Sequence, residues 1–220
     1  MKYFVFSLDD GTIFDKETIS LFNRYGIRGT FNLNSGLNNY TWYYEDRIPI
    51  TRLILEDNVD LYNGHEVASH TLTHPYLDSC SDEEVIRQVN EDINNLERIF
   101  NRKIKSFATP FETCGEREVE IIRNSTKINN IRLSEIDESF SLPSDAYHIK
   151  VTSLDIRRAL ELFDTFINDD NASLFVYAGH SYDFFVDNTF DLLEELLKKL
   201  NEHKDEVKVV TMQEMVNLFF

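Results

Sequence analysis

Tyr3-Phe4-Val5-Phe6-Ser7-Leu8-Asp9-Asp10-Gly11-Thr12 sets the reading of the whole chain. An apolar run of strand length stops on two carboxylates and a glycine. Adjacent carboxylates repel one another unless a cation is near. Asp-Gly is also a good turn former, and for this pair taken alone the turn reading has the advantage. The same design recurs downstream. Arg28–Leu33, Glu66–Ser69, Lys105–Thr109, Asn129–Leu133, Ser173–Ala178 and Val207–Val210 join Tyr3–Leu8 as candidate strands.

Helical patterns lie between these runs. Along Ser81–Phe100 the apolar positions Val85, Val89, Ile93, Leu96 and Phe100 form one stripe on a 3.6-residue period, and Ser81 with Glu84 predicts a capping box. Lys16–Tyr25 ends against Gly26, a suitable helix stop. Asp155–Ile167 and Thr189–Glu202 are amphipathic, and Thr211 with Glu214 opens a final helix. Strand–helix alternation of this kind predicts a parallel sheet with right-handed crossovers. Asp9-Asp10, His70, Pro110, Arg132 and His180 each fall just past the C-terminal end of a candidate strand. In an open sheet the first and sixth strands can lie far apart, whereas a barrel brings all these ends to one mouth. A barrel of about seven strands, regular or irregular in shape, is therefore the favoured architecture.

The chain has 220 residues, the size of one domain spanning 1–220. Its net charge of −17, from 22 basic against 39 acidic residues, repels nucleic acid phosphates and anionic membranes, so neither is an expected partner. No run approaches the roughly 18 apolar residues of a membrane span. Asp9-Asp10 interrupts the N-terminal apolar run before a secretory segment forms. Cys80 and Cys114 stand far apart without metal-ligand spacing, which suits reduced thiols and a cytoplasmic location. The sequons at Asn39, Asn124 and Asn171 are then chance matches in an Asn-rich chain.

His70 and His74 have the spacing that places two imidazoles on one face of a helical turn. An isolated HxxxH is weak evidence. Combined with Asp10 it becomes a coherent ligand set for one divalent cation, with neutral imidazoles, an ionised carboxylate and positions left for water. His180 closes the sixth run, and Ser181 and Asp183 stand where they can orient it for proton transfer. His65, His148 and His203 lack such surroundings and are read as surface or packing residues. Tyr40-Thr41-Trp42-Tyr43-Tyr44 follows the second strand and belongs at the same mouth, where stacking on a sugar ring and ordinary loop packing are equally good accounts of Trp42.

Ser7–Thr12 resembles the Thr-Phe-Asp-Asp-Gly motif of the polysaccharide deacetylase family, the NodB-homology domain of carbohydrate esterase family 4. Ser69–Pro75 is similar to its second motif, Phe107–Phe111 to a divergent third and Gly179–Asp183 to the last, in family order. The resemblance covers nearly the whole chain. It implies a distorted (β/α)7 barrel, with Asp10, His70 and His74 holding one divalent metal ion, usually zinc. It further implies Asp9 as catalytic base, His180 as catalytic acid and the backbone N–H of Phe111 as oxyanion donor. Two departures stand out. Ala108 and Thr109 occupy the region of the third motif's arginine, a gap that Arg132 is expected to fill beside Asp9. The acidic–tryptophan fourth motif has no counterpart, which leaves Asp183 or Asp155 to tune His180.

The expected function is hydrolysis of a non-peptide C–N bond, foremost deacetylation of an N-acetylated sugar. A small non-sugar amide of the ureide or cyclic-imide type is the alternative substrate. A non-catalytic carbohydrate-binding relative is the remaining alternative. Oligomeric state is not legible.

Overall fold

The computed structural model describes residues Met1–Phe220. The elements run β1 (Lys2–Asp9), α1 (Asp15–Arg24), β2 (Thr30–Leu33), β3 (Thr41–Tyr44), β4 (Ile48–Thr51), β5 (Glu66–Ser69), α2 (Asp82–Phe100), β6 (Ser106–Ala108) and α3 (Glu116–Ser125). They continue with β7 (Asn130–Ile136), β8 (Ile149–Val151), α4 (Ile156–Asn168), β9 (Leu174–His180), α5 (Ser181–Val186), α6 (Phe190–Glu202), β10 (Val207–Val209) and α7 (Met212–Phe219). Every strand expected from the sequence forms, with ends moved by up to three residues. The sequence reading omits β3, β4, β8, α3 and α5, which are short or carry mixed patterns.

One curled parallel sheet organises the chain. From β1 the ladder passes through β2, β5, β6 and β7 to β8. On its other edge β1 pairs with β9 over Tyr3–Asp9. Just beyond β8, Ser153 bridges Tyr177 of β9, so seven strands go round with one irregular seam. β10 leans on the first residues of β1, outside that ring. The architecture is the distorted (β/α)7 barrel expected above.

Alternation along β1 separates two environments. Phe4, Phe6 and Leu8 face outward into the main core, where Phe22, Phe163 and Phe175 pack from helices and neighbouring strand. Val5 faces inward with Val176, Ile149 and Met215. Ser7 and Asp9 share that inward face and meet Arg132 of β7 across the lumen. At the N-terminal end a polar plug replaces apolar packing. Glu66 accepts from Thr30 Oγ1 (2.8 Å), Ser106 Oγ (2.5 Å) and the Gln213 N–H (3.0 Å), tying three strands to α7.

The predicted stripe on α2 is buried at Val85, Val89, Ile93, Leu96 and Phe100. Its capping box forms only in part. Ser81 Oγ accepts from the Glu84 N–H at 3.3 Å, but the Glu84 carboxylate turns to Arg87 and Gln88 instead. An arginine one turn on is a stronger partner for a carboxylate than a backbone N–H. At α7 the Glu214 carboxylate serves both partners, pairing with Arg28 through Oε1 (2.7 Å) while Oε2 accepts from the Thr211 N–H (3.0 Å), so Thr211 and Glu214 cap reciprocally. No helix is long and apolar enough to cross a membrane.

Candidate active site

The C-terminal ends of the strands surround a cavity of about 700 Å³ whose lining includes Asp9, Asp10, Trp42, His70, His74, Phe111, Arg132 and His180. All eight residues singled out from the sequence therefore meet in one place. β1 delivers the two carboxylates in different ways. Asp9 still belongs to the strand and points into the lumen, whereas Asp10 leaves it with φ +83. That left-handed backbone turns consecutive side chains toward the same cavity. Gly11 continues the turn at φ +66, where an added Cβ would stand 2.8 Å from Leu33 Cδ2.

His70 follows β5 directly. The expected helical turn across His70–His74 does not form. Thr71 and His74 both take left-handed φ angles, +68 and +55. The loop is held by other contacts. Asn34 Nδ2 donates to the carbonyls of His70 and Thr71, Gln88 Oε1 accepts from the Thr73 N–H (2.9 Å), and Thr71 Oγ1 accepts from the His74 N–H (3.0 Å). The imidazoles end 4.8 Å apart, centroid to centroid, but by loop geometry rather than helical period.

One ligand atom each from Asp10, His70 and His74 lies within 4.8 Å of the others. Asp10 Oδ1 is 3.7 Å from His74 Nε2 and 4.0 Å from His70 Nε2. His70 Nδ1 donates to the Ala108 carbonyl at 2.9 Å, which leaves Nε2 bare and facing the carboxylates. That arrangement fixes ring and tautomer as a metal-ligating histidine requires. The donor set suits one divalent cation of intermediate softness.

Two further pairs flank this cluster. Arg132 is almost wholly buried, at 1% exposure, and its guanidinium reaches the Asp9 carboxylate while Nε contacts Ser7 Oγ at 3.3 Å. Asn32 Nδ2 donates to Asp9 as well, at 2.7 Å. On the opposite side His180 Nδ1 sits 3.0 Å from Asp183 Oδ2, with Nε2 3.9 Å from Asp10 Oδ2. Asp183 is thus the carboxylate beside His180, while Asp155 caps α4 through the Arg158 N–H.

These neighbours set the protonation states. Burial opposes charge on Asp9, but Arg132, His70 and His180 hold its carboxyl below the ordinary range. Burial likewise opposes charge on Asp10, and His180 and Arg52 outweigh it, bringing the pKa to about 2. Burial lowers His70 despite Asp9 and Asp10, and it lowers His74 to about 3 with the help of His70. His180 moves the other way. Burial disfavours its cation, yet Asp183, with Asp10 and Asp9, raises its pKa to about 9.

Phe111 adopts φ +54, and its N–H has no acceptor within the chain. Its ring stacks on Tyr76 at 4.2 Å and meets the edge of His74 at 4.4 Å. Trp42 sits on the β3–β4 hairpin, with the Arg52 guanidinium 4.8 Å from its ring and Tyr182 edge-on at 5.6 Å. Arg52, Asn32 and Asn34 escape the sequence reading. Each lies outside the motifs, and nothing in the linear order marks it as near the two aspartates.

The family model described as polysaccharide deacetylase matches residues 1–127. A chitooligosaccharide deacetylase of Sinorhizobium fredii is 32% identical over 87 residues, which is 39% of this chain and 35% of that protein. The chain thus aligns with about a third of that relative's length. Among solved structures, the Xyl-CE4 domain of a multidomain xylanase from the hindgut metagenome of Trinervitermes trinervoides superposes with TM-score 0.65 at 16% identity, covering 99% of this chain and 90% of that one. A peptidoglycan deacetylase of Bacillus subtilis gives 0.63 at 16% identity, with 99% and 91% coverage. A CE4-family pseudoenzyme from Bacillus anthracis gives 0.63 at 15% identity, covering 98% of this chain and 65% of that one. These likenesses carry the fold, and the family match carries the affiliation: the chain belongs to the polysaccharide deacetylase family.

Proposed function

We propose that this chain is a divalent-cation-dependent hydrolase of non-peptide C–N bonds that removes acetyl groups from an N-acetylated sugar or oligosaccharide. The observation that carries the reading is the convergence of Asp10, His70 and His74 within 4.8 Å, between an ionised Asp9 and a protonated His180. Support for a sugar substrate comes from the match to a chitooligosaccharide deacetylase and from aromatic rings on two sides of the cavity.

Asp10, His70 and His74 would hold the cation, with zinc the expected ion. Once bound it supplies Lewis acidity, which acidifies water and polarises a carbonyl. Asp9 takes the proton of the attacking water, its carboxylate kept ionised and aimed by Arg132 and Asn32. The unpartnered Phe111 N–H donates to the oxygen that becomes negative as the amide carbonyl is attacked, an effect worth on the order of 10²- to 10³-fold in rate for one such donor. His180, protonated through Asp183, gives its proton to the departing nitrogen so that the C–N bond breaks and an amine and acetate leave.

The test is acetate release from N-acetylglucosamine oligomers, run beside a panel of ureides and cyclic imides. Asp9→Asn and His180→Ala are each expected to lower kcat by about 10²-fold or more with cation binding retained. Turnover of the oligomers by Asp9→Asn at the wild-type rate would refute the assignment of the base. Turnover of the ureides alone would move the substrate to small metabolites.

A further inference from the structure

Arg52 carries a role that neither the motifs nor the proposed chemistry assigns. It follows β4, is only 7% exposed, and makes its single ion pair with Asp10. The contact falls on Oδ1, the same oxygen that faces the Nε2 atoms of His70 and His74. The guanidinium is also fixed elsewhere. Nε donates to the Asp10 main-chain carbonyl at 3.1 Å, and Nη2 reaches Asn34 Oδ1 at 3.1 Å. Trp42 covers it at 4.8 Å, and the Arg52 N–H is tied to the Tyr40 carbonyl at 2.9 Å.

The Asp10 carboxylate therefore holds a complete counter-charge before any cation arrives. A dication reaching Oδ1 has to share that oxygen with a guanidinium that cannot swing aside without giving up these contacts. Positive charges at such short range, screened from water, repel strongly. We propose that Arg52 is a resident competitor for Asp10 that weakens divalent-cation binding at the Asp10–His70–His74 cluster by about 10- to 100-fold, the size of effect that partners of metal ligands have but of opposite sign, because Arg52 takes the oxygen that the cation needs. Occupancy of the site then follows the free cation concentration instead of being permanent. The inference rests on the cation-binding reading of that cluster.

Competition with a chromophoric chelator tests it, using zinc and cobalt(II) as probes. The proteins are wild type, Arg52→Gln, Arg52→Met, Arg52→Lys and His70→Ala. Both uncharged variants are expected to bind about 10- to 100-fold more tightly than wild type, with Arg52→Lys close to wild type. Their cation-free forms should melt below cation-free wild type, while the rise in Tm on adding zinc grows. A site that was merely loosened would bind the cation less well, so the pairing of lower Tm with higher affinity separates charge competition from structural support. Should Arg52→Gln not fold, Arg52→Met, which keeps a stem over Trp42, carries the same expectation. Equal or weaker binding in the uncharged variants, with wild-type binding intact, overturns the role of Arg52 alone. Absence of His70-dependent binding in wild type and variants alike overturns both the inference and the reading on which it rests.

Discussion

At the residue scale the site is two crossed ion pairs, Asp9 with Arg132 and Asp10 with Arg52, which let adjacent carboxylates stay ionised in a buried place. Arg132→Ala removes the charge that keeps Asp9 ionised and leaves a carboxylate buried with Asn32 as its nearest donor. A fall in kcat of about 10- to 100-fold, with a lower Tm, is the expected result, and a wild-type rate would sink this role. Asp15 offers a separate test, because it lies outside the ligand and proton-transfer residues although the Asp10 charge reaches it. It is fully buried beside the Tyr62 hydroxyl, 2.7 Å away, and burial pushes its pKa up to about 7. A folded-state pKa above the unfolded value means that the group's favourable contribution is complete below about pH 4 and is lost as pH rises through 7. Asp15→Asn is therefore expected to be more stable than wild type at pH 8 and to lose that advantage toward pH 4, on the order of a few kcal/mol across the window. Asp92, pushed up to about 7 by burial as well, keeps part of the slope in the variant. Denaturant unfolding at several pH values measures it, and parallel curves for the two proteins would refute it.

At the element scale, sequence pattern and structure agree wherever one face of an element meets one environment. β1, β9 and α2 are examples, because their alternation or stripe is imposed by a single buried side. The pattern fails where neighbours decide. The His70–His74 segment has helical spacing but lies between Asn34 and Gln88, whose amides satisfy its backbone without a helix. The β3–β4 hairpin reads as an aromatic loop because alternate residues of β3 are exposed and β4 buries only Ile50. Its Trp42 couples the hairpin to the site through Arg52. Trp42→Ala is expected to raise KM for an N-acetylated oligosaccharide several-fold. A lowered Tm with unchanged KM would assign the ring to packing.

At the scale of the whole molecule, the cluster joins β1 to the loop after β5, segments some sixty residues apart in sequence. A cation bound there adds a cross-link present only in the folded state, so its effect on stability follows mass action. Zinc at about 100 times its dissociation constant is expected to add about 2.7 kcal/mol, seen as a higher Tm that a chelator reverses. His70→Ala should abolish the shift, and an unchanged shift in that variant would place the cation elsewhere.

The linear chain by itself determined the strand–helix alternation, the barrel, and the Asp10–His70–His74 and Asp9–His180 groups, because each rests on local periodicity or on a short motif at a strand end. Only the tertiary structure decided that Asp183 rather than Asp155 touches His180, that Asn32 joins the expected Arg132 at Asp9, and that Arg52 occupies Asp10. Those pairings are fixed by strand order and curvature, which set distances between residues that the order of amino acids leaves free.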